Sequence, residues 1–174
     1  MKIHSESLIA HPLNEVYKAY RDELPRIARF IHDIKEIVVK SREETPDGVK
    51  LHNLWVADRE LPKMIKGLVK PEMMQWDDYA DWNDGETFVA WRLVIPAFKD
   101  QVRCEGRNSF YADGEHTRVV LTGELHIKLE NVPGVPKFMA KKMAPKIEEF
   151  IVKLITPNLK LVNECLGDYL DSKN

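Results

Sequence analysis

Cysteine is almost missing from this chain of 174 residues. Only Cys104 and Cys165 are present, too few for a disulfide framework. Charge of one sign is not in excess either. Lysine and arginine number 26 against 28 acids, a formal net charge of −2, so nothing favours a polyanion and nucleic acid is not an expected partner. No apolar run approaches the ~20 residues that span a bilayer. The opening "MKIHSESLIAHP" lacks the apolar stretch of a signal peptide. Together these absences lead to the expectation of a cytoplasmic protein with free thiols.

Catalytic signatures are also lacking. The six histidines (His4, His11, His32, His52, His116 and His126) show no metal-ligand spacing. Neither a glycine-rich phosphate loop nor a G-x-S-x-G elbow occurs. No metal and no cofactor is expected, and a non-enzyme is favoured over an enzyme. Cys104 falls mid-strand on an apolar face, where a thiol behaves as a small hydrophobe.

What the chain does have is 44% hydrophobic and 31% charged residues, the balance of a globular protein. Its length suits a single domain over residues 1–174, able to bury about 70% of the unfolded chain's surface. Three Asp-Gly pairs, Asp47-Gly48, Asp84-Gly85 and Asp113-Gly114, each sit between β-type runs. Both residues tolerate the positive φ of a tight turn, so three hairpins and six strands are predicted. The last strand alternates: Val119, Leu121, Leu125 and Ile127 share a face with Gly123, against Arg118, Thr122, Glu124, His126 and Lys128. In "VRCEGRNSF", Val102, Cys104 and Phe110 oppose Arg103, Glu105 and Arg107. One dry and one wet face mark an antiparallel sheet covered on one side. Gly106 and Gly123 inside these strands predict bulges or bends.

"KIHSESLIA" reads as a seventh strand. After it, Leu13, Val16, Tyr17 and Tyr20 form a helical stripe behind Pro12, and Ile27, Phe30, Ile31 and Ile34 a second behind Pro25. Near the C-terminus, residues 134–170 read as one long helix. Ile147, Phe150, Ile151, Leu154 and Ile155 make its apolar face, continued by Leu159, Val162, Cys165, Leu166 and Tyr169. Pro145 and Pro157 should start, bend or interrupt it. The predicted fold is α+β: a curved seven-stranded antiparallel sheet, two short helices after the first strand, and a long C-terminal helix over the concave face. A helix lying in a curled sheet rarely touches it everywhere, and an apolar gap between them suits an apolar ligand.

This order resembles the START-like, or SRPBCC, helix-grip superfamily. "VVKSREETPDGVKLHNLWVADRELPKMIKGLVKP" (Val38 to Pro71), "TFVAW" and "VRCEGRNSFYADGEHTRV" resemble the PRELI-like phospholipid transfer domains within it. The resemblance implies a mobile lid at Arg59–Pro71, with Lys63, Met64, Ile65, Lys66, Leu68 and Val69 as its lipid-facing or membrane-facing residues. Apolar residues among lysines do suit an anionic lipid interface. A short helix packed on the sheet edge explains the same segment equally well. Lys137, Lys141, Lys142 and Lys146 of the last helix read first as a solvated outer face.

Candidate cavity residues come from the inward strand and helix faces: Asn53, Trp55, Trp91, Cys104, Asn108, Phe110, Leu121, Phe150 and Leu154. The two asparagines are placed to hydrogen-bond a ligand's polar group or, more ordinarily, water and backbone. Trp55, Trp76 and Trp91 are placed either to line a pocket or simply to fill the core. Arg92 and Arg103 are assigned to exposed strand positions, and Asp77, Asp78 and Asp81 to the solvated face of theirs. The expected partner is a hydrophobic small molecule or phospholipid, with weak peripheral membrane contact through the basic loop. The alternative is a cyclase, aromatase or dehydratase using the same cavity, marked by two titratable side chains within hydrogen-bond reach. A third reading makes the groove a seat for a partner's peptide.

Overall fold

The computed structural model describes residues 1–58, 60, 70–128 and 137–173. Seven strands form one antiparallel sheet: β1 (Lys2–Ile9), β2 (Ile34–Thr45), β3 (Gly48–Ala57), β4 (Gln75–Asn83), β5 (Phe88–Val94), β6 (Val102–Asp113) and β7 (His116–Ile127). Their order is β1-β7-β6-β5-β4-β3-β2, so the meander predicted from the Asp-Gly turns is present and β1 adds beside the last strand. Helices α1 (Leu13–Asp22) and α2 (Leu24–Ile27) follow β1, and α3 (Lys137–Asp171) ends the fold. This is the α+β arrangement expected from the sequence.

The first short helix forms where its stripe predicted. Val16, Tyr17 and Tyr20 are buried, and the Pro12 carbonyl accepts from the Glu15 and Val16 amides at 3.0 and 3.1 Å. The second stripe is only partly helical. The chain leaves α2 at Ile27, makes a 3₁₀ turn over Ala28–Phe30, and Ile34 already opens β2. Spacings of three and four among β-branched residues fit either state, and pairing of Ile34–Val39 with β3 decides for strand.

Two further expectations are corrected. Gly106 and Gly123 mark no bulge: they are direct register partners in an uninterrupted β6–β7 ladder, and the irregularities lie in β2, at Ile34/Glu36 and Val39/Ser41. The glycines instead make a floor for Trp91, itself paired with Gly106. A Cβ at Gly106 would stand 2.4 Å from Trp91 Cζ2, and one at Gly123 2.9 Å from its Cη2. In the β4–β5 turn the positive φ falls on Thr87 (49°) rather than on Gly85. Thr87 is held there by two bonds to Phe110, Oγ1 donating to its carbonyl and the Thr87 carbonyl accepting from its amide, each at 2.9 Å.

Helix α3 runs through Pro145 and Pro157 without ending. An interior proline costs roughly 3 kcal/mol. Burial of Ile147, Phe150, Ile151, Leu154, Ile155, Val162 and Leu166, at about 1.5–3 kcal/mol each, outweighs it. Its C-terminal end is fastened to the other helices. His11 Nε2 lies 2.7 Å from Asp171 Oδ1, and Glu23, between α1 and α2, takes hydrogen bonds from Lys173 and the Tyr169 hydroxyl. Those two donors hold the Glu23 carboxyl below its usual range. Outward, Lys141, Lys142, Lys146 and Lys153 are exposed, and the last two pair with Glu149. The Lys137 side chain lies outside the described residues. No helix among those described is long and apolar enough to cross a membrane.

Candidate functional site

Alternation sends one face of β3–β6 toward α3. On β3 it carries Leu51, Asn53 and Trp55; on β4 Trp76, Asp78, Ala80 and Trp82; on β5 Val89, Trp91 and Leu93; on β6 Asn108. Tyr20 of α1, Leu24 of α2 and the α3 residues Ile155, Asn158, Leu159 and Val162 close the other side. Between them remains a cavity of ≈ 50 Å³, room for a few waters and below the ~300–1,000 Å³ of a pocket for a drug-sized molecule.

The walls are aromatic. All four tryptophans of the chain line the cavity. Trp55 and Trp76, register partners on β3 and β4, stack with centroids 5.6 Å apart, and Tyr20 meets Trp82 edge-on at 5.6 Å.

Set into these walls are two short polar chains. Register places Asn53 opposite Asp78. Asn53 Nδ2 donates to Asp78 Oδ2 at 3.1 Å, and Trp55 Nε1 reaches the same oxygen at 3.4 Å. In the second chain, Trp91 Nε1 donates to Asn108 Oδ1 at 2.9 Å and Asn108 Nδ2 to the Tyr20 hydroxyl at 3.1 Å. Burial pushes the Asp78 carboxyl up to about 6, against the lowering pull of the Asn53 and Trp55 hydrogen bonds and of His52. Burial, then the nearby Asp78, raises the Tyr20 phenol as well. Each of these two titratable groups bonds to a different asparagine, and no hydrogen bond joins them. Three buried polar atoms of the lining have no hydrogen-bond partner among the described residues: Asn53 Oδ1, Trp82 Nε1 and Asn158 Oδ1. An orphaned buried polar group costs about 1–3 kcal/mol, so this cavity carries a polar demand that its own walls leave unmet.

Of the residues chosen from sequence, Asn53, Trp55, Trp91 and Asn108 line the cavity. Cys104, Phe110, Leu121, Phe150 and Leu154 are buried in the packing around it; the Cys104 thiol is pushed up to about 12, by burial first and then by Glu105. Lys63, Met64, Ile65, Lys66, Leu68 and Val69 lie outside the described residues. Arg92 and Arg103 are exposed as expected, Arg92 stacked over Tyr79 at 4.7 Å and Arg103 bonded to Glu105. Asp78 is corrected: it is 7% exposed and faces inward, unlike Asp81. Its signal was parity, because Trp76, Asp78, Ala80 and Trp82 are every second residue of one strand. Trp82 and Asn158 were also missed, and Asn158 sits four residues from both Leu154 and Val162 on the apolar stripe of α3.

No protein-family model matches the chain, and no curated protein matches its sequence. Solved structures do. TTHA0849 from Thermus thermophilus is 21% identical with a TM-score of 0.69, covering 100% of this chain and 99% of that one. The Zhui aromatase/cyclase from Streptomyces sp. R1128 is 16% identical with a TM-score of 0.64, covering 97% and 92%. A point mutant of Thalictrum flavum norcoclaurine synthase, in complex with a transition-state analogue, is 16% identical with a TM-score of 0.57, covering 100% and 96%. The latter two proteins are members of the helix-grip superfamily. At these identities the likeness is one of fold: this chain has the helix-grip fold that the START-like resemblance implied.

Proposed function

We propose that the protein binds a small hydrophobic molecule, ring-sized rather than lipid-sized, between the sheet and α3. The observation that carries this is the composition of the cavity: four tryptophans around a buried polar set with unmet hydrogen bonds. Apolar walls supply affinity at about 25 cal/mol per Å² buried, before the costs of association, and the polar atoms fix orientation. Two helix-grip proteins named above, an aromatase/cyclase and a norcoclaurine synthase, support small-molecule use of this architecture.

Size argues against the finer reading taken from the PRELI-like resemblance, transfer of a phospholipid. A cavity of ≈ 50 Å³ holds no acyl chain without large rearrangement. A single ring needs a smaller one, and the cavity wall at Asn158 and Leu159 adjoins a proline of α3. Pro157 has no N–H to give the preceding turn, so the helix lacks one backbone bond beside the cavity. A second reading, a cyclase-type enzyme in the same cavity, is favoured by one observation: the Asp78 carboxyl, at about 6, lies where general acid–base groups are useful.

Since every tryptophan lines the cavity, tryptophan fluorescence, excited selectively over tyrosine, reports on it. Titration with 2-phenylethanol is expected to give a saturable change in that signal, and dihexanoyl phosphatidylcholine none. No response to 2-phenylethanol from folded protein would overturn the proposal. A response to the phospholipid only would put the transfer reading in its place.

A further inference from the structure

The charge in the cavity has one sign: a buried carboxylate faces it, and no cation lines it among the described residues. Asn158 Nδ2 donates to the Leu154 carbonyl at 2.7 Å and Asn53 Nδ2 to the Asp78 carboxylate. Both partners only accept, so both amides are fixed with their oxygens turned elsewhere, and both oxygens lack partners among the described residues. The residues are 3% and 1% exposed. Asp78 adds a carboxylate, and no lysine, arginine or histidine is among the described lining residues. His52 is engaged with Asp77 at 2.7 Å. Against these stand Trp82 Nε1, the hydroxyl hydrogen of Tyr20 and the second amide hydrogen of each lining asparagine, all of them neutral donors, so no positive charge faces the carboxylate.

We propose that the molecule this cavity accepts is a protonated amine carried on an apolar, ring-sized body. The proposal rests on the ligand-binding reading above and adds the ligand's charge. An ammonium brings three donors, matching in number the carboxylate and the two orphaned amide oxygens. Tryptophan faces attract the same cation. A neutral guest leaves Asp78 without a counter-charge in an apolar enclosure, and an anionic guest places two like charges there. Trp82 Nε1 is left for water or for an oxygen elsewhere on the guest.

Three probes of one shape separate the charge from the shape: 2-phenylethylamine, 2-phenylethanol and 3-phenylpropionate, titrated at about pH 8 and followed by calorimetry and tryptophan fluorescence. The amine is expected to bind about tenfold or more tightly than the alcohol, and the carboxylate most weakly. In Asp78→Asn the amine-to-alcohol ratio is expected to fall to about one or below. The proposal is overturned if the alcohol or the carboxylate matches the amine in the natural chain. It is equally overturned if the amine keeps its advantage in Asp78→Asn, which would mark a general attraction of cations. Binding of none of the three removes the ligand-binding reading itself, and the amine with it, whereas equal binding of amine and alcohol removes only the amine.

Discussion

Asp78→Asn is expected to raise the unfolding midpoint by roughly 6–12 °C at about pH 8 and to leave it unchanged at about pH 4. Burial raises this carboxyl from an ordinary 3.8 to about 6, so the folded protein holds the proton more tightly than the unfolded chain does. The stability that the protonated group contributes is therefore complete below about pH 4 and is lost as pH rises through 6. Above that, a buried carboxylate costs the fold about 3 kcal/mol. Asparagine keeps an oxygen for the Asn53 and Trp55 donors and sheds the charge. Thermal unfolding of both chains across this pH range checks the expectation. A midpoint that falls at pH 8 would mean that the carboxylate has a stabilising partner, contrary to the geometry described. A chain that retains so costly a group in a cavity is behaving as functional sites do.

Gly106→Ala is expected to destabilise the protein by about 3 kcal/mol or more, and Gly123→Ala by less. A Cβ at Gly106 would meet the Thr122 carbonyl oxygen at 2.3 Å, Trp91 Cζ2 at 2.4 Å and Gly123 Cα at 2.8 Å. Two of those three contacts are backbone, which cannot turn aside. At Gly123 the nearest contacts are 2.9 Å, to the Glu105 carbonyl and the Trp91 ring. Relief therefore requires the β6–β7 ladder to shift and Trp91 to leave its floor, which breaks its bond to Asn108. Denaturant unfolding gives the ranking. Because Trp91→Ala removes one of these clashes at its own cost of a buried ring, the double variant Gly106→Ala/Trp91→Ala should cost less than the sum of the two single changes. A double variant that costs the full sum would contradict the role assigned to Trp91.

These two residues also mark how far sequence alone could lead. Hairpin turns and strand faces were readable because Asp-Gly pairs and period-two alternation are local. The meander, and with it the helix-grip order, follows from them almost without choice. The Ile27–Ile34 stripe was ambiguous because its spacing suits a helix while its β-branched residues suit a strand, and only pairing with β3 decides. The purpose of Gly106 and Gly123 was hidden, since Trp91 reaches them from a neighbouring strand. Asp78 was misread because charge was weighed above parity: two tryptophans and an alanine at its own spacing already pointed inward. Cavity volume is a small difference between large packed volumes, and no pattern of residue types encodes it.

The most direct measurement of the central claim uses the four indole N–H groups, one on each cavity tryptophan. In nitrogen-15 spectra recorded while 2-phenylethanol is added, all four indole signals are expected to move along one saturable curve. Trp82, whose Nε1 has no acceptor among the described residues, should be prominent among them. Indole signals that stay fixed, while shifts gather on outward residues such as His52 and Tyr79, would contradict the account.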